Sequence, residues 1–419
     1  MPKKFPTSHQ PHTAATPSLP VVKISPRGAA RLKSGHPWVY RSDITAAENV
    51  PPGAMVHVAD QRGKVLGTAL YSSSSQIAIR MLAKNDAEIP SLPSLIAERI
   101  RAALAYRQHL VADTDAYRIV FSEADFLPGL IIDRYNDVLF VQILTQAMDA
   151  EPVRGAIIQT LVEGRAPSPV QVDSGAPPAG IVERVDARIR DLEQLPPRQS
   201  GLLWGTKSST VIQMNGVRFH YDALEGQKTG AFLDQRENYA TAARHAHGQA
   251  LDAFCYQGGF ALHLAPHCSG VTGVDSSRPA LEMADKNAAL NGREIEWIEA
   301  NAFDLLRDYA DAGHRYDTVV LDPPAFAKTK RDLDKARSGY KELNLRALKM
   351  LSPGGILVTC SCSFHVSAAD LLEVVAAAAN DARKTLRLLE DRTQAKDHPI
   401  LLNVPETGYL KCMIFNVSN

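Results

Sequence analysis

The chain has 419 residues, which is long for one ordinary domain and suggests about two to four. Apolar residues make up 45% and charged residues 22%, so sizeable cores can be buried, while no apolar run reaches the roughly 18 to 20 residues needed to cross a bilayer. Formal net charge is zero, so bulk charge announces no polyanion partner, and five cysteines without paired C-x-x-C spacing argue against a disulfide framework or a structural zinc site.

The start, Met1-Pro2-Lys3-Lys4 followed by Pro, Ser, Thr and His, lacks the apolar stretch of a secretory signal, and residues 1–20 read as a disordered tail. The cysteine usage suits a reducing cytoplasm, and Cys255, Cys268 and Cys412 read as small core residues among apolar neighbours. Residues 21–85 read as a β-rich module closing into a barrel. Its short strands are Val21 to Ile24, Met55 to Val58, Val65 to Leu70 and Gln76 to Met81, separated by turn clusters such as Pro51-Pro52-Gly53. Residues 1–41 also hold Lys3, Lys4, Lys23, Arg27, Arg31, Lys33 and Arg41 and no acid, which is either polyanion contact or a solvated face.

A central α+β domain is expected over 86–222. It opens with an amphipathic helix, Leu92 to Val111, and continues with a hairpin of Arg118 to Phe121 and Leu130 to Asp133 and a strand from Val138 to Leu144. Residues 165–180, rich in Pro, Ser, Gly and Ala, read as a flexible insertion. Val211 to Met214 and Val217 to Tyr221, joined by Asn215-Gly216, carry the strongest local hairpin signal in the chain.

From 223 to 419 the pattern becomes strand, glycine turn, helix, repeated, which predicts a doubly wound parallel sheet. Leu251 to Phe260 is a strand ending in the pair Gly258-Gly259 that opens a helix, so backbone can approach a ligand closely. A second strand, Val271 to Asp275, ends in an acid placed to grip the ribose hydroxyls of an adenosyl cofactor. The next helix starts at Ser276-Ser277-Arg278-Pro279. The G-x-G-x-x-G phosphate fingerprint is missing, which disfavours a nicotinamide dinucleotide, whereas S-adenosylmethionine needs no pyrophosphate cradle.

Two further strings follow buried parallel strands: Asp322-Pro323-Pro324-Ala325-Phe326 after Tyr316 to Leu321, and Ser361-Cys362-Ser363 after Ile356 to Thr359. They place a carboxylate and a thiol at one carboxyl edge of the sheet, which is what methylation of a pyrimidine carbon needs. Behind the first string lies a basic run, Lys328, Lys330, Arg331, Lys335, Arg337 and Lys341.

The ordered strings Gln227 to Asn238, Asp252-x-Phe254-x-Tyr256-x-Gly258-Gly259-Phe260, Asp322 to Phe326 and Ser361 to Val366 resemble the bacterial large-subunit ribosomal RNA cytosine-C5 methyltransferase family. The resemblance extends over nearly the whole chain: His36-Pro37-Trp38-Val39-Tyr40 looks like the family's N-terminal PUA module, an RNA-binding β-barrel. It implies an α/β fold class with a PUA-like barrel, a central α+β domain and a Rossmann-like methyltransferase domain. S-adenosylmethionine would be the cofactor, large-subunit ribosomal RNA the partner, and a homodimer is compatible.

By the same resemblance Lys228, Thr229, Phe232, Gln235 and Arg236 line the methionine end of the cofactor. Asp252, Phe254, Tyr256, Gly258 and Gly259 form its turn, Asp275 and Ser276 meet the ribose, and Asn301 and Ala302 sit at the adenine. Asn301 stands where the family carries aspartate, and its amide carbonyl can still accept from the adenine amino group. Asp322 borders both cofactor and base, and Pro323, Pro324, Phe326, Lys328, Lys330 and Arg331 face the substrate, with Phe326 placed to stack on an extruded base.

The nucleophile expected is Cys362, just past the strand end, rather than Cys360, still within the strand; Asp322 is the group at ring nitrogen 3. A second cysteine often follows the Asp-Pro-type string in related enzymes, but here Ala325 and Phe326 stand there, so release falls to another base or to water. Two other readings stay open. An Asp-Pro-Pro string also serves methylation of exocyclic amines, and an RNA-binding protein with an inactive methyltransferase fold would keep the same architecture.

Overall fold

The computed structural model describes residues 19–84, 89, 91–164, 177–224, 231–327 and 329–419. Most of the expected tail and insertion lies outside the described residues, as do Lys228, Thr229, Lys328 and the side chain of Lys330. The chain forms two compact units, residues 1–88 and 89–419. Among the described residues no helix is long and apolar enough to cross a membrane.

The N-terminal unit is a six-stranded sheet around the helix Pro26–Lys33, whose N-cap Ser25 accepts from the Gly28 amide. Trp38–Tyr40 and Ile44–Ala46 form its two edges and no ladder joins them among the described residues, so the expected barrel is a half-barrel. Val22, Ile24, Leu32, Val39, Val56, Val58 and Ile79 fill its core, because alternate strand residues point to one face. The acid-free stretch is partly engaged internally. Arg27 donates to Asp43 Oδ1 at 2.7 Å, and Arg41 donates to the carbonyls of Ser72 and Ser75.

In the second unit, Ala116–Phe121, Leu130–Tyr135, Val138–Ile143, Gly180–Glu183 and Gly201–Gly205 form a five-stranded sheet packed by helices Leu92–Gln108 and Glu151–Glu163. Gly180, expected at the end of the insertion, instead opens a strand. The hairpin Ser209–Met214 and Val217–Asp222 turns at Asn215 and Gly216, both with positive φ, as a two-residue hairpin turn requires. Its Ile212, Met214, Phe219 and Tyr221 join one core with Phe260 and Leu262 on one side and Tyr135 on the other, where the rings of Tyr135 and Tyr221 stack at 3.6 Å.

The remainder is a seven-stranded sheet: β1 (Gln249–Ala253), β2 (Gly270–Asp275), β3 (Glu296–Glu299), β4 (Tyr316–Leu321), β5 (Leu351–Ser361), β6 (Thr385–Arg392) and β7 (Lys411–Ser418). Their spatial order is β3-β2-β1-β4-β5-β7-β6, with β7 antiparallel to both neighbours. Helices α1 (Arg236–His245), α2 (Gly259–Leu264), α3 (Arg278–Leu290), α4 (Ala302–Ala312), α5 (Leu333–Met350) and α6 (Ala368–Ala382) cover it. The order reverses at β1, the first strand of this sheet in chain order, leaving a crevice beyond the carboxyl ends of β1 and β4, where such sheets bind ligands.

Candidate active site

A cleft of about 490 Å³ opens at that crevice. Its wall includes Phe254, Tyr256 and Gly259 after β1, Asp275 and Ser276 after β2, Asn301 and Ala302 after β3, and Asp322, Pro323, Pro324 and Phe326 after β4. Cys362 after β5, with Phe232 and Gln235 ahead of α1, completes the set of expected residues that meet there.

Backbone geometry builds the half around β1 and β2. Phe254, Tyr256 and Gly258 all lie in the left-handed region, at φ 68°, 50° and 84°. Two aromatic residues held there in one short turn mark stored strain of the kind found at ligand sites. Gly258 lacks a Cβ for a reason of packing as well: one would sit 2.9 Å from the Trp297 ring. Asp275 is held at both oxygens, Oδ2 accepting from the Tyr256 amide and Oδ1 from the Ser277 amide, each at 2.9 Å. A carboxylate has about four acceptor sites, so it can accept two hydroxyls besides.

Three residues expected at the cofactor do not line this wall. Asp252 is fully buried; its Oδ2 accepts from the Ala261 amide at 2.8 Å and so ties the end of β1 to α2. Gly258 serves the turn. Arg236 turns away from the cleft into an ion pair with fully buried Asp397 at 3.1 Å, because a guanidinium so buried needs a carboxylate. Asn301 caps α4, its Oδ1 accepting from the Phe303 amide at 2.9 Å.

Side chains build the other half. The register pairs Leu321 with Thr359, so Asp322 and Cys362 leave adjacent parallel strands. Cys362 Sγ lies 4.0 Å from the Pro323 carbonyl oxygen. Ser363 Oγ accepts from the amides of Phe326 and Ala327 and bonds the Tyr340 hydroxyl at 3.0 Å, pinning the two strand-end loops together. Phe326, expected to be a stacking platform, is packed against Tyr340 and Phe303 with centroids at 4.7 and 5.7 Å, and only part of it reaches the cleft. Arg331 is exposed and outside the wall. Cys360 lies fully buried opposite Cys412, and burial first, with Cys412 second, pushes its thiol well up.

The sequence reading passed over several groups. Asp234 and Tyr409 line the cleft, the tyrosine hydroxyl donating to Asp234 Oδ2 at 2.5 Å. Lys411, on β7, donates to the carbonyls of Ser363 and Tyr409 at 2.7 and 2.8 Å; burial pushes its ammonium down to about 8, and the nearby Cys362 and Asp370 oppose that shift. Asp234 falls within the Gln227 to Asn238 string and Tyr409-Leu410-Lys411 match the closing strands of the family the sequence resembles, but neither string assigns these residues a place at the cleft. The basic run is also smaller than its sequence suggests. Arg337 pairs with Asp370 and Glu373, and Lys341 with Asp381, all on α6.

Comparison with known proteins agrees with this layout. A family model for a PUA-like domain matches residues 22–84, and one for an S-adenosylmethionine-dependent methyltransferase matches residues 200–415. The chain is 39% identical over 407 residues to ribosomal RNA large subunit methyltransferase I of Shewanella denitrificans, covering 94% of this chain and 99% of that one. It is 38% identical over 391 residues to the protein of that name from Tolumonas auensis, covering 90% and 94%. Its fold is similar to that of a protein solved in complex with SAH, at TM-score 0.78 and 17% identity over 95% of this chain and all of that one. The strained turn, the doubly held Asp275 and the size of the cleft fit S-adenosylmethionine, the cofactor of this methyltransferase domain. The chain belongs to the ribosomal RNA large subunit methyltransferase I family.

Proposed function

We propose that the protein methylates carbon 5 of a cytosine in large-subunit ribosomal RNA, with Cys362 as nucleophile and Asp322 as the group at ring nitrogen 3. The observation that carries this reading is the meeting of the Cys362 thiol and the Asp322 carboxylate in the wall of one cleft. Asp275 would hold the cofactor's ribose, Tyr256 and Phe254 its flank, and Asn301 and Ala302 its adenine. When bound, the cofactor supplies an electrophilic methyl group.

Carbon 5 of cytosine is a weak nucleophile until a thiolate adds to carbon 6. Cys362 Sγ forms that bond while Asp322, as the carboxylic acid, donates a hydrogen bond to nitrogen 3 and stabilises the electron pair displaced into the ring. Carbon 5 would then bond to the methyl carbon, the bond from that carbon to the cofactor's sulfur breaking and its electron pair staying on sulfur. A base removes the carbon 5 proton, the ring double bond re-forms, and the carbon–sulfur bond breaks to return the thiolate. Ser363 and Tyr340 keep the two strand-end loops at a fixed spacing through this sequence.

Ribosomal RNA with 5-fluorocytosine at the target should become covalently trapped on the wild-type protein, because fluorine cannot leave as the proton does. Cys362→Ala should abolish the adduct and lower methyl transfer by on the order of 10⁴-fold or more, while Cys360→Ala retains both. Methyl transfer to an exocyclic amine by Cys362→Ala at near wild-type rate would overturn the reading in favour of amino methylation.

A further inference from the structure

Asp322 is approached from behind by a directed chain of side chains. Gln235 Nε2 donates to Asp322 Oδ2 at 3.0 Å, Asn238 Nδ2 donates to Gln235 Oε1 at 2.7 Å, and Arg392 Nε donates to Asn238 Oδ1 at 2.9 Å. Gln235 and Asn238 are 2% and 0% exposed, so water does not compete for these bonds.

The direction of the chain is not arbitrary. A guanidinium has five donors and no acceptor, so Arg392 compels Asn238 to turn its oxygen toward β6. Asn238 Nδ2 also donates to the Thr393 carbonyl at 3.1 Å, an acceptor that cannot take the amide oxygen. With its nitrogen thus aimed at Gln235, Asn238 requires the Gln235 oxygen on its own side, and only the Gln235 nitrogen remains for Asp322. Two residues outside the cleft wall therefore decide that Asp322 meets a donor and not an acceptor.

We propose that Gln235 is a positioning residue of the methyl-transfer reaction, acting through Asp322, and that Asn238 and Arg392 set the direction of its amide. This assigns Gln235 to the base side of the cleft and not to the cofactor's methionine end. The inference rests on the reading that Asp322 meets the target base, and it holds for carbon or amine methylation alike, since both place that carboxylate there.

The test uses the full-length protein, unmodified large-subunit ribosomal RNA, and calorimetry with S-adenosylhomocysteine. Gln235→Met keeps the volume and removes the bond. Asn238→Asp replaces the donor that faces Gln235 by an acceptor, so the glutamine amide turns over and presents its oxygen to Asp322. Both should lower kcat by about 10- to 100-fold, the loss expected when a buried acceptor is left without its donor, with Kd for S-adenosylhomocysteine and KM for RNA within about twofold. Gln235→Glu carries the test if those variants do not fold: kcat should be lost at neutral pH and partly recovered on acidification, when the new carboxyl is protonated and can donate.

Among the described residues the titratable groups near this end of the chain include Asp322, Cys360, Tyr239 and Asp234, and burial raises Cys360 and Tyr239 so far that both stay neutral in that range. Wild-type kcat in Gln235→Met, or weakened S-adenosylhomocysteine binding with kcat intact at saturating cofactor, would overturn the inference while Asp322→Ala remains inactive. An active Asp322→Ala would overturn the reading of Asp322 and the inference with it.

Discussion

The two halves of the cleft are built from different materials. Around β1 and β2 the work is done by main chain: left-handed residues, amides donating to Asp275, and a glycine pressed against Trp297. Around β4 and β5 it is done by side chains that reach across the fold, Gln235 to Asp322, Ser363 to the loop after β4, and Lys411 to the loop after β5. Main-chain sites specify shape and hold a ligand of constant structure. Side-chain sites specify the direction of hydrogen bonds, which a reaction needs at the atoms that change. The cofactor half should therefore control affinity and the base half should control rate.

The largest effect that tests this division is at Asp275. Asp275→Ala should weaken S-adenosylhomocysteine binding about 10- to 100-fold through lost charged hydrogen bonds, with kcat at saturating cofactor within a few-fold of wild type. Calorimetry paired with single-turnover methylation checks it, and an unchanged Kd would erase the distinction between the halves.

Gly273 probes the packing under the same turn. A Cβ there would meet the Trp297 ring at 2.3 Å, so Gly273→Ala should cost about 1 to 3 kcal/mol of stability through overpacking. Trp297→Leu should recover part of that loss, because its indole Nε1 has no hydrogen-bond partner among the described residues. A double-mutant cycle by chemical unfolding measures the coupling.

His263 sharpens the comparison through pH. It is buried in α2 with Nδ1 on the Gly259 carbonyl at 2.7 Å, and burial, opposed by its bonds to the Gly259 and Met214 carbonyls, lowers it to about 4. The unfolded chain binds the proton near 6.5 and the folded chain does not until about 4, so stability is full above 6.5 and falls as the medium is acidified through that window. At pH 5 the loss should be up to about 2 kcal/mol, and His263→Gln should remove this slope from the acid unfolding profile.

The smallest effect concerns RNA contact beside the base half. Arg331 and Lys335 are exposed and form no ion pair among the described residues, whereas Arg337 and Lys341 are paired. The Arg331→Gln, Lys335→Gln double variant should lower the salt slope of RNA binding by up to about 2, and Arg337→Gln with Lys341→Gln should leave it nearly unchanged. Equal slopes for the two pairs would mean that the whole run is a solvated face.

Local sequence carried much of the architecture. Asn215-Gly216 announced its hairpin, and the apolar run before Cys362 announced a buried parallel strand, because turn chemistry and burial on both faces leave their mark within a few residues. The half-barrel was less legible, since whether edge strands meet depends on twist accumulated over the whole sheet.

Asp275, Asp322 and Cys362 could be picked out from the chain alone because each ends or directly follows a strand of the parallel part of the sheet, and that position by itself delivers a residue to the crevice. Tertiary structure alone decided that Arg236 leaves the cleft for Asp397, that Phe326 is packed by Tyr340 and Phe303, and that Gln235 answers to Asn238 and Arg392. These contacts join residues from 14 to 161 positions apart in all but one case, the exception being Gln235 with Asn238 on neighbouring turns. A charge or amide finds its partner by burial, and burial is settled only when the whole sheet and its helices have closed around it.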